Sequence, residues 1–118
     1  MDNQLTLDSA FSPPGKLSLV LADDSENFAQ PCASALRKHG IDVTVVEKDG
    51  KRVIDLILSR QPDVVIMDFF LPRIDSVGVM KQVKTTLPDK PIHFMVMSAH
   101  DSPLIEREAM MAGAEYYF

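Results

Sequence analysis

Three aspartates stand where runs of strand-forming residues end, and their carboxylates are the groups of this chain best placed for chemistry. Asp23 and Asp24 directly follow the apolar run of residues 17–22, and Asp68 directly follows residues 64–67. In open α/β sheets, ligands bind outside the carboxyl ends of the strands. Three carboxylates that share such an edge repel one another unless a cation or a proton intervenes. The pattern therefore indicates a site for a hard metal ion combined with a nucleophilic carboxylate.

The elements that must position these aspartates follow from two alternating hydrophobic periods. Short apolar runs typical of strands alternate with stretches whose apolar residues repeat at helical spacing. This β-α-β-α-β-α-β-α-β order predicts an α/β fold with a doubly wound, five-stranded parallel sheet and helices on both faces. The predicted strands are residues 17–22, 42–46, 64–67, 92–97 and a fifth that begins at Tyr116.

The start of the first helix offers a structural alternative for one of the aspartates. An aspartate at a strand end is more often a cap or turn residue than a metal ligand. Asp24 or Ser25 could therefore cap the first helix, whose apolar residues begin at Phe28. Pro31 falls inside the same helical pattern, so we expect this helix to be kinked or to start late.

Length and composition limit the class of protein. The 118 residues suffice for one domain, and 46% hydrophobic and 25% charged residues are typical of a soluble globular protein. A net charge of -5 without a dense basic block argues against a broad nucleic-acid surface. The single cysteine, Cys32, excludes an internal disulfide framework and a multi-cysteine metal site. Neither a membrane span nor a signal peptide is visible, so we expect a cytoplasmic protein.

Five separated segments carry a family pattern: Val20-Leu21-Ala22-Asp23-Asp24, Pro62-Asp63-Val64-Val65-Ile66-Met67-Asp68, Leu71-Pro72-Arg73-Ile74-Asp75, Met97-Ser98-Ala99 and Ala112-Gly113-Ala114-Glu115-Tyr116. Together they resemble the receiver domain of two-component response regulators. The resemblance covers residues 16–118 and implies the flavodoxin-like strand order 2-1-3-4-5. Residues 1–15 are polar and broken by prolines, and are expected to be a flexible lead-in. Within the family, the segments Ala22-Asp23-Asp24 and Pro72-Arg73-Ile74-Asp75 make the chain look most similar to the sporulation-initiation transcription regulator.

This resemblance implies a phosphorylation switch. Asp68 matches the aspartate that accepts a phosphoryl group from the phosphohistidine of a histidine kinase or phosphotransferase protein. Asp23 and Asp24 match the acidic pair that holds Mg²⁺ together with Asp68, and the main-chain carbonyl of Phe70 would complete the protein ligands. Phe70 and His100 match the positions that flank the phosphoryl group.

The resemblance also assigns the residues that respond to phosphorylation. Ser98 matches the switch hydroxyl and Tyr117 the switch aromatic, whose movement would alter the surface of the fourth helix and fifth strand. The family carries a phosphoryl-contacting lysine about two residues beyond Phe118. We expect the receiver domain to be truncated at or after the fifth strand, without its last helix. A homodimer is expected, through the fourth-helix and fifth-strand surface or by exchange of C-terminal elements.

Three functional classes follow from these residues. The first is a phospho-accepting receiver that controls a DNA-binding output domain outside this chain, without binding nucleic acid or a membrane itself. The second is a phosphorylation-independent interaction module with a receiver fold. The third is a phosphatase of the haloacid dehalogenase type, which would need a carboxylate where Phe70 stands. We therefore expect self-phosphorylation of Asp68 but no turnover enzyme.

Overall fold

A computed structural model describes residues 15–99 and 102–118 of the chain. His100 lies outside the described residues, as does the predicted lead-in except for Gly15. The described part contains five strands and four helices. The strands are β1 (Ser18–Ala22), β2 (Asp42–Val46), β3 (Val64–Asp68), β4 (His93–Met97) and β5 (Ala114–Tyr117), and the helices are α1 (Ala29–Lys38), α2 (Gly50–Arg60), α3 (Ser76–Thr86) and α4 (Pro103–Ala112).

The strands form one parallel sheet in the order β2-β1-β3-β4-β5, which confirms the predicted fold class and strand order. β1 lies between β2 and β3, and every residue of β1 is buried. Because side chains alternate across a strand, β1 contributes buried side chains to both faces of the sheet. Leu19 and Leu21 pack with α1, whereas Val20 and Ala22 join the larger core beneath α2, α3 and α4.

The first helix begins later than its hydrophobic pattern alone would indicate. α1 starts at Ala29, and Pro31 occupies its first turn, where no intrahelical N–H bond is needed. A helix that began near Ser25 would put the proline ring in its interior, against a carbonyl of the preceding turn. The late start is confirmed. Capping of α1 by Asp24 is wrong, and Ser25 caps only the turn that leads into the helix: its Oγ accepts the N–H of Phe28 at 3.3 Å and its carbonyl accepts that of Ala29 at 2.9 Å. The N-cap position belongs to Phe28, which makes no side-chain capping bond.

The strands begin within two residues of their predicted starts, and the largest difference is in β5. β5 begins at Ala114, two residues before the predicted Tyr116. Its pairing with β4 contains a register shift between Phe94 and Met95, which no local sequence pattern announces. In the part of the chain that the structure describes, no helix is long and apolar enough to cross a membrane.

Candidate functional site

The acidic edge of the sheet is built by the ends of two neighbouring strands. Asp23 follows β1 directly, and Asp68 is the last residue of β3. Ala22 pairs with Met67, so the next residues along the two strands, Asp23 and Asp68, face each other across the sheet edge. Asp23 is only 7% exposed, and its Oδ1 accepts a hydrogen bond of 2.8 Å from the main-chain N–H of Ser25. The fold thus fixes one buried carboxylate beside the predicted phosphoacceptor.

Asp24 is exposed and takes no part in capping α1. The alternative structural role considered for it is therefore removed. Its carboxylate acts electrostatically, together with that of Asp23, on a basic group in the same pocket. The three aspartates singled out from the sequence are thus neighbours of one cation.

That cation is the ammonium of Lys48, which lies two residues beyond the end of β2. Its Nζ is 2.7 Å from Oδ2 of Asp68, and the two side chains are 39% and 27% exposed. The hydrogen bond from Lys48 to Asp68 raises the pKa of Lys48, and the charges of Asp68, Asp23 and Asp24 act in the same direction. The ammonium therefore stays charged and compensates the acidic edge.

Lys48 was missed from the sequence because the carboxyl-end rule was applied only to the strands that end in aspartate. Applied to the strand that ends at Val46, the same rule brings Lys48 to the common edge. What the rule cannot supply is the strand order. Only the position of β1 between β2 and β3 makes Lys48 cross over the end of β1 to reach Asp68.

The donor chemistry of the pocket fits a hard divalent cation. Carboxylate and main-chain carbonyl oxygens are the ligands that Mg²⁺ prefers, and the ion usually keeps several waters. Among residues 15–99 and 102–118, however, no three carboxylate, imidazole or thiol groups converge to hold a metal ion. Lys48 neutralises Asp68 instead. The oxygen ligands of this edge suit Mg²⁺, and the Lys48 ammonium is hydrogen-bonded to Oδ2 of Asp68, an oxygen that the ion would use.

The loop after β3 carries the main-chain carbonyl predicted as a metal ligand. Phe70 is 55% exposed, and its ring meets the buried ring of Phe69 edge-on at 4.9 Å. The main chain of Phe69 is tied at both polar groups: its N–H donates to Met97 O at 2.8 Å, and its carbonyl accepts from Ser76 N at 3.1 Å. These bonds hold the residue just before Phe70 against the end of β4 and the start of α3.

A second set of contacts, here called the latch, consists of Asp49, Gly50, Pro72 and Arg73. The guanidinium of Arg73 contacts the Asp49 carboxylate, and the N–H of Gly50 donates to Pro72 O at 3.0 Å. Asp49 also caps α2 by accepting N–H groups of its first turn. The hydrogen bond from Arg73 lowers the pKa of Asp49. The latch joins the loop that carries Lys48 to the loop after β3.

The two predicted switch residues lie at neighbouring strand ends. Ser98 follows β4 directly and donates its main-chain N–H to Phe118 O at 2.8 Å. Asp68 pairs with Met97, so Ser98 lies one residue beyond the β4 residue that pairs with Asp68. Tyr117, the last residue of β5, is half-buried and packs against the larger core. The arrangement suits a path from Asp68 towards β5, and the switch roles stay predictions.

Comparison with known proteins defines the family. A family model of the response regulator receiver domain matches residues 19–118. The chain therefore belongs to the response regulator receiver domains, and it is the receiver domain of a two-component response regulator. Response regulator MprA of Mycolicibacterium vanbaalenii is 32% identical over 99 residues, which are 84% of this chain and 42% of MprA. A transcriptional regulatory protein of Mycobacterium tuberculosis, NarL, is 31% identical over 102 residues, 86% of this chain and 46% of NarL.

Solved structures agree with this assignment. The signal receiver domain of NarL from Mycobacterium tuberculosis superposes with a TM-score of 0.77 at 30% identity, covering 88% of this chain and 83% of that chain. The receiver domain of the Francisella response regulator 1452 gives a TM-score of 0.74 at 27% identity, with 86% and 82% coverage. Our chain spans less than half the length of the curated relatives it matches.

Proposed function

We propose that this receiver domain accepts a phosphoryl group on Asp68 with the help of Mg²⁺. The proposal rests on the pairing of strand ends, which sets Asp68 opposite the buried Asp23. The charges of Asp68, Asp23 and Asp24 also act on the same ammonium, that of Lys48. Mg²⁺ held by these carboxylates and the main-chain carbonyl of Phe70 would neutralise charge on the phosphoryl oxygens.

The chain's own contribution is positioning. A carboxylate oxygen of Asp68 forms a bond to phosphorus while the bond from phosphorus to the donor's imidazole nitrogen breaks, and the electron pair leaves with the imidazole. Phosphoryl transfer depends mainly on alignment and charge neutralisation. Asp68 is suited to this because it is fixed at the end of a paired strand and still 27% exposed to an incoming donor.

Ser98 and Tyr117 are proposed to convert the new charge into a change of surface. The aspartyl-phosphate adds negative charge and strong acceptor oxygens. The hydroxyl of Ser98, at the end of the adjacent strand, would donate to one of them, and Tyr117 would repack behind it. This couples a local charge to the α4–β5 surface.

The surroundings of the domain are proposed from its relatives. A histidine kinase or phosphotransferase protein would supply the phosphoryl group, and no enzymatic turnover beyond self-phosphorylation is expected. Because NarL is named a transcriptional regulatory protein, we propose that a DNA-binding output domain outside this chain receives the signal. The finer assignment, a regulator of sporulation initiation, remains a prediction from the sequence motifs.

Homodimerisation through the α4–β5 surface completes the proposal. The exposed side of α4 carries two large apolar side chains seven residues apart, Leu104 at 66% and Met111 at 80%. Exposed apolar side chains that share one face of a helix are typical of interaction sites. Sedimentation at increasing concentration should show a monomer–dimer equilibrium that Leu104→Glu weakens, and a mass independent of concentration would refute the dimer.

The decisive experiment is the intact mass after incubation with acetyl phosphate, with and without Mg²⁺. We expect a single phosphoryl adduct that requires Mg²⁺ and is absent from Asp68→Asn. Asp75→Asn is the matched control, because Asp75 lies in the same loop, caps α3 and keeps an acceptor oxygen after the change. An adduct that persists in Asp68→Asn would contradict the assignment of Asp68.

One observation favours the phosphorylation-independent module as a second candidate. The Lys48 ammonium lies 2.7 Å from Asp68 Oδ2 and neutralises it, as an acidic edge kept for structural reasons would require. Under this function, acetyl phosphate would not phosphorylate the protein, either with or without Mg²⁺. Complete absence of an adduct in the wild-type chain would therefore favour the interaction module.

A further inference from the structure

The proposed phosphoryl transfer makes no use of the Lys48 ammonium, although this ammonium contacts Asp68 directly. Its 2.7 Å contact with Oδ2 of Asp68 is a short, charge-assisted hydrogen bond. Neighbouring strands lie about 4.8 Å apart, so β2 and β3 are separated by roughly 10 Å across β1. The Lys48 side chain therefore extends over the end of β1, where Asp23 and Asp24 follow.

We propose that Lys48 is a built-in counter-ion of this pocket and that a divalent cation binds only after the ammonium has left Asp68. The inference rests on the proposed function, because it needs the metal site formed by the three aspartates. Lys48 acts here as a positioning residue that sets the metal affinity of the pocket. It makes no bond to the phosphoryl group in this scheme.

The Lys48 ammonium and a Mg²⁺ ion cannot both bind Asp68, because their charges repel and the space beside the carboxylate is small. Mg²⁺ binds oxygen ligands at about 2.0–2.1 Å. An ammonium that stayed 2.7 Å from the same Asp68 oxygen would place two cations within about 5 Å of each other, where they repel strongly. Asp68 is both the carboxylate that the ammonium contacts and one that the ion needs, so the two cations compete for it. Binding of one cation therefore releases the other.

The fraction of time that the Lys48 ammonium spends on Asp68 determines how weakly Mg²⁺ binds. The apparent dissociation constant of a ligand rises in inverse proportion to the fraction of protein that can bind it. If the ammonium is docked about nine tenths of the time, the apparent dissociation constant for Mg²⁺ is about tenfold that of the open pocket. Weak metal binding would thus be a property of Lys48 and not of the aspartates.

The structure shows how Lys48 can move without disturbing the fold. The latch ties the adjoining residues Asp49 and Gly50 to the loop after β3, so the main chain beside Lys48 is held. The Lys48 side chain is 39% exposed and has solvent beside it. Release of the ammonium therefore requires only rotation of a flexible side chain.

The test is a calorimetric Mg²⁺ titration of the full chain and of matched variants. Lys48→Met keeps an unbranched stem and loses the charge, and Lys48→Arg keeps the charge. Lys38→Met is the control, because it removes the same charge in the last turn of α1, at the far end of that helix from the acidic edge. We expect about three- to tenfold tighter binding in Lys48→Met. Lys48→Arg and Lys38→Met should bind like the wild type.

A second readout follows the side chain itself. The NMR signals of the Lys48 Cε methylene, identified by their loss in Lys48→Met, should move to the position of a solvent-exposed lysine as Mg²⁺ saturates the wild-type pocket. Static Lys48 signals at saturating Mg²⁺ would overturn the inference even if the affinities differed.

The remaining outcomes separate this inference from the proposed function. Equal Mg²⁺ affinity in wild type and Lys48→Met, with normal adduct formation on Asp68, overturns the counter-ion role and leaves phosphoacceptance intact. Unchanged affinity with slower adduct formation also overturns it, and would assign Lys48 to the phosphoryl group. If neither protein binds Mg²⁺, the metal site and the competition both fail.

Discussion

The guanidinium of Arg73 contacts both carboxylate oxygens of Asp49, with Nε 3.0 Å from each oxygen and Nη2 2.9 Å from Oδ2. This pairing joins residues from two loops that flank the acidic edge. Asp49 uses the same carboxylate to accept the N–H groups of Lys51 and Arg52. One side chain thus starts α2 and fastens the loop after β3, where Arg73 adopts a φ of 71°.

The first prediction concerns the pH dependence of this pair. Arg73 lowers the pKa of Asp49 below its ordinary value of 3.8. The pair therefore stabilises the fold above that value, and the contribution is lost as the pH falls through the folded-state pKa. Asp49→Asn, which keeps an N-cap oxygen, should lower the free energy of unfolding at about pH 6 and have less effect at about pH 3. Urea unfolding at both pH values, with Asp89→Asn as control, tests this.

A methyl group at Gly50 should disrupt the latch by steric overlap. A Cβ there would collide with the main-chain carbonyl of Ile74 and approach the Ile74 side chain. Neither backbone can yield easily, because the Gly50 N–H donates to Pro72 O at 3.0 Å. We expect Gly50→Ala to cost about 1–3 kcal/mol of unfolding free energy. The exposed neighbour change Lys51→Ala should stay within about 0.5 kcal/mol, and equal effects would contradict the steric account.

Removal of the α3 cap should be destabilising by a predictable amount. Asp75 Oδ1 accepts the N–H of Gly78 at 2.9 Å. Asp75→Ala leaves that N–H without its side-chain acceptor and should cost about 0.5–2 kcal/mol in chemical unfolding. Asp75→Ser restores an acceptor and should recover most of the loss. A Ser variant as unstable as the Ala variant would argue against capping as the cause.

The next residue should behave in the opposite way. Ser76 is fully buried, and its Oγ has no hydrogen-bond partner among the described residues. An unsatisfied buried hydroxyl is costly, and alanine has the higher helix propensity. Ser76→Ala should therefore raise the unfolding free energy by about 0.5–1.5 kcal/mol. A decrease in calorimetric stability would reveal a bound water on this hydroxyl.

The proposed switch role of Ser98 can be tested separately from the proposed phosphoacceptance of Asp68. Ser98→Ala should form the same Mg²⁺-dependent adduct on Asp68, because the nucleophile and the acidic pair are untouched. The change in the amide NMR signal of Tyr117 on phosphorylation should fall by more than about half. Ser59→Ala is the control, since its hydroxyl bonds only within α2. An undiminished Tyr117 response in Ser98→Ala would remove Ser98 from the switch.

Local patterns in the sequence predicted most of the fold. The hydrophobic periodicity predicted the start of each strand to within two residues. The position of Pro31 predicted the late start of α1. The start of β5 was placed too late because its first residue, Ala114, follows the helix-ending Gly113 and lacks a β-branched or aromatic side chain. The register shift in β4, between Phe94 and Met95, could not be predicted because it depends on how β5 pairs with β4.

The candidate site was predicted less completely than the fold. The aspartates were found because polar residues end apolar runs, which is a local signal. Lys48 and the pair of Asp49 with Arg73 depend on contacts between segments far apart in the chain. Whether two such loops meet is decided by strand order and loop conformation. Hydrophobic period carries no information on either.

The central place of β1 also bears on when the acidic edge can form during synthesis. β1 is the earliest strand of the described chain, yet its neighbours on both sides are made later. A ribosome that has released β1 and β2 has already released Asp23 and Asp24, but not Asp68. The acidic edge therefore cannot assemble until β3 has been made and paired with β1, so shorter nascent chains lack it.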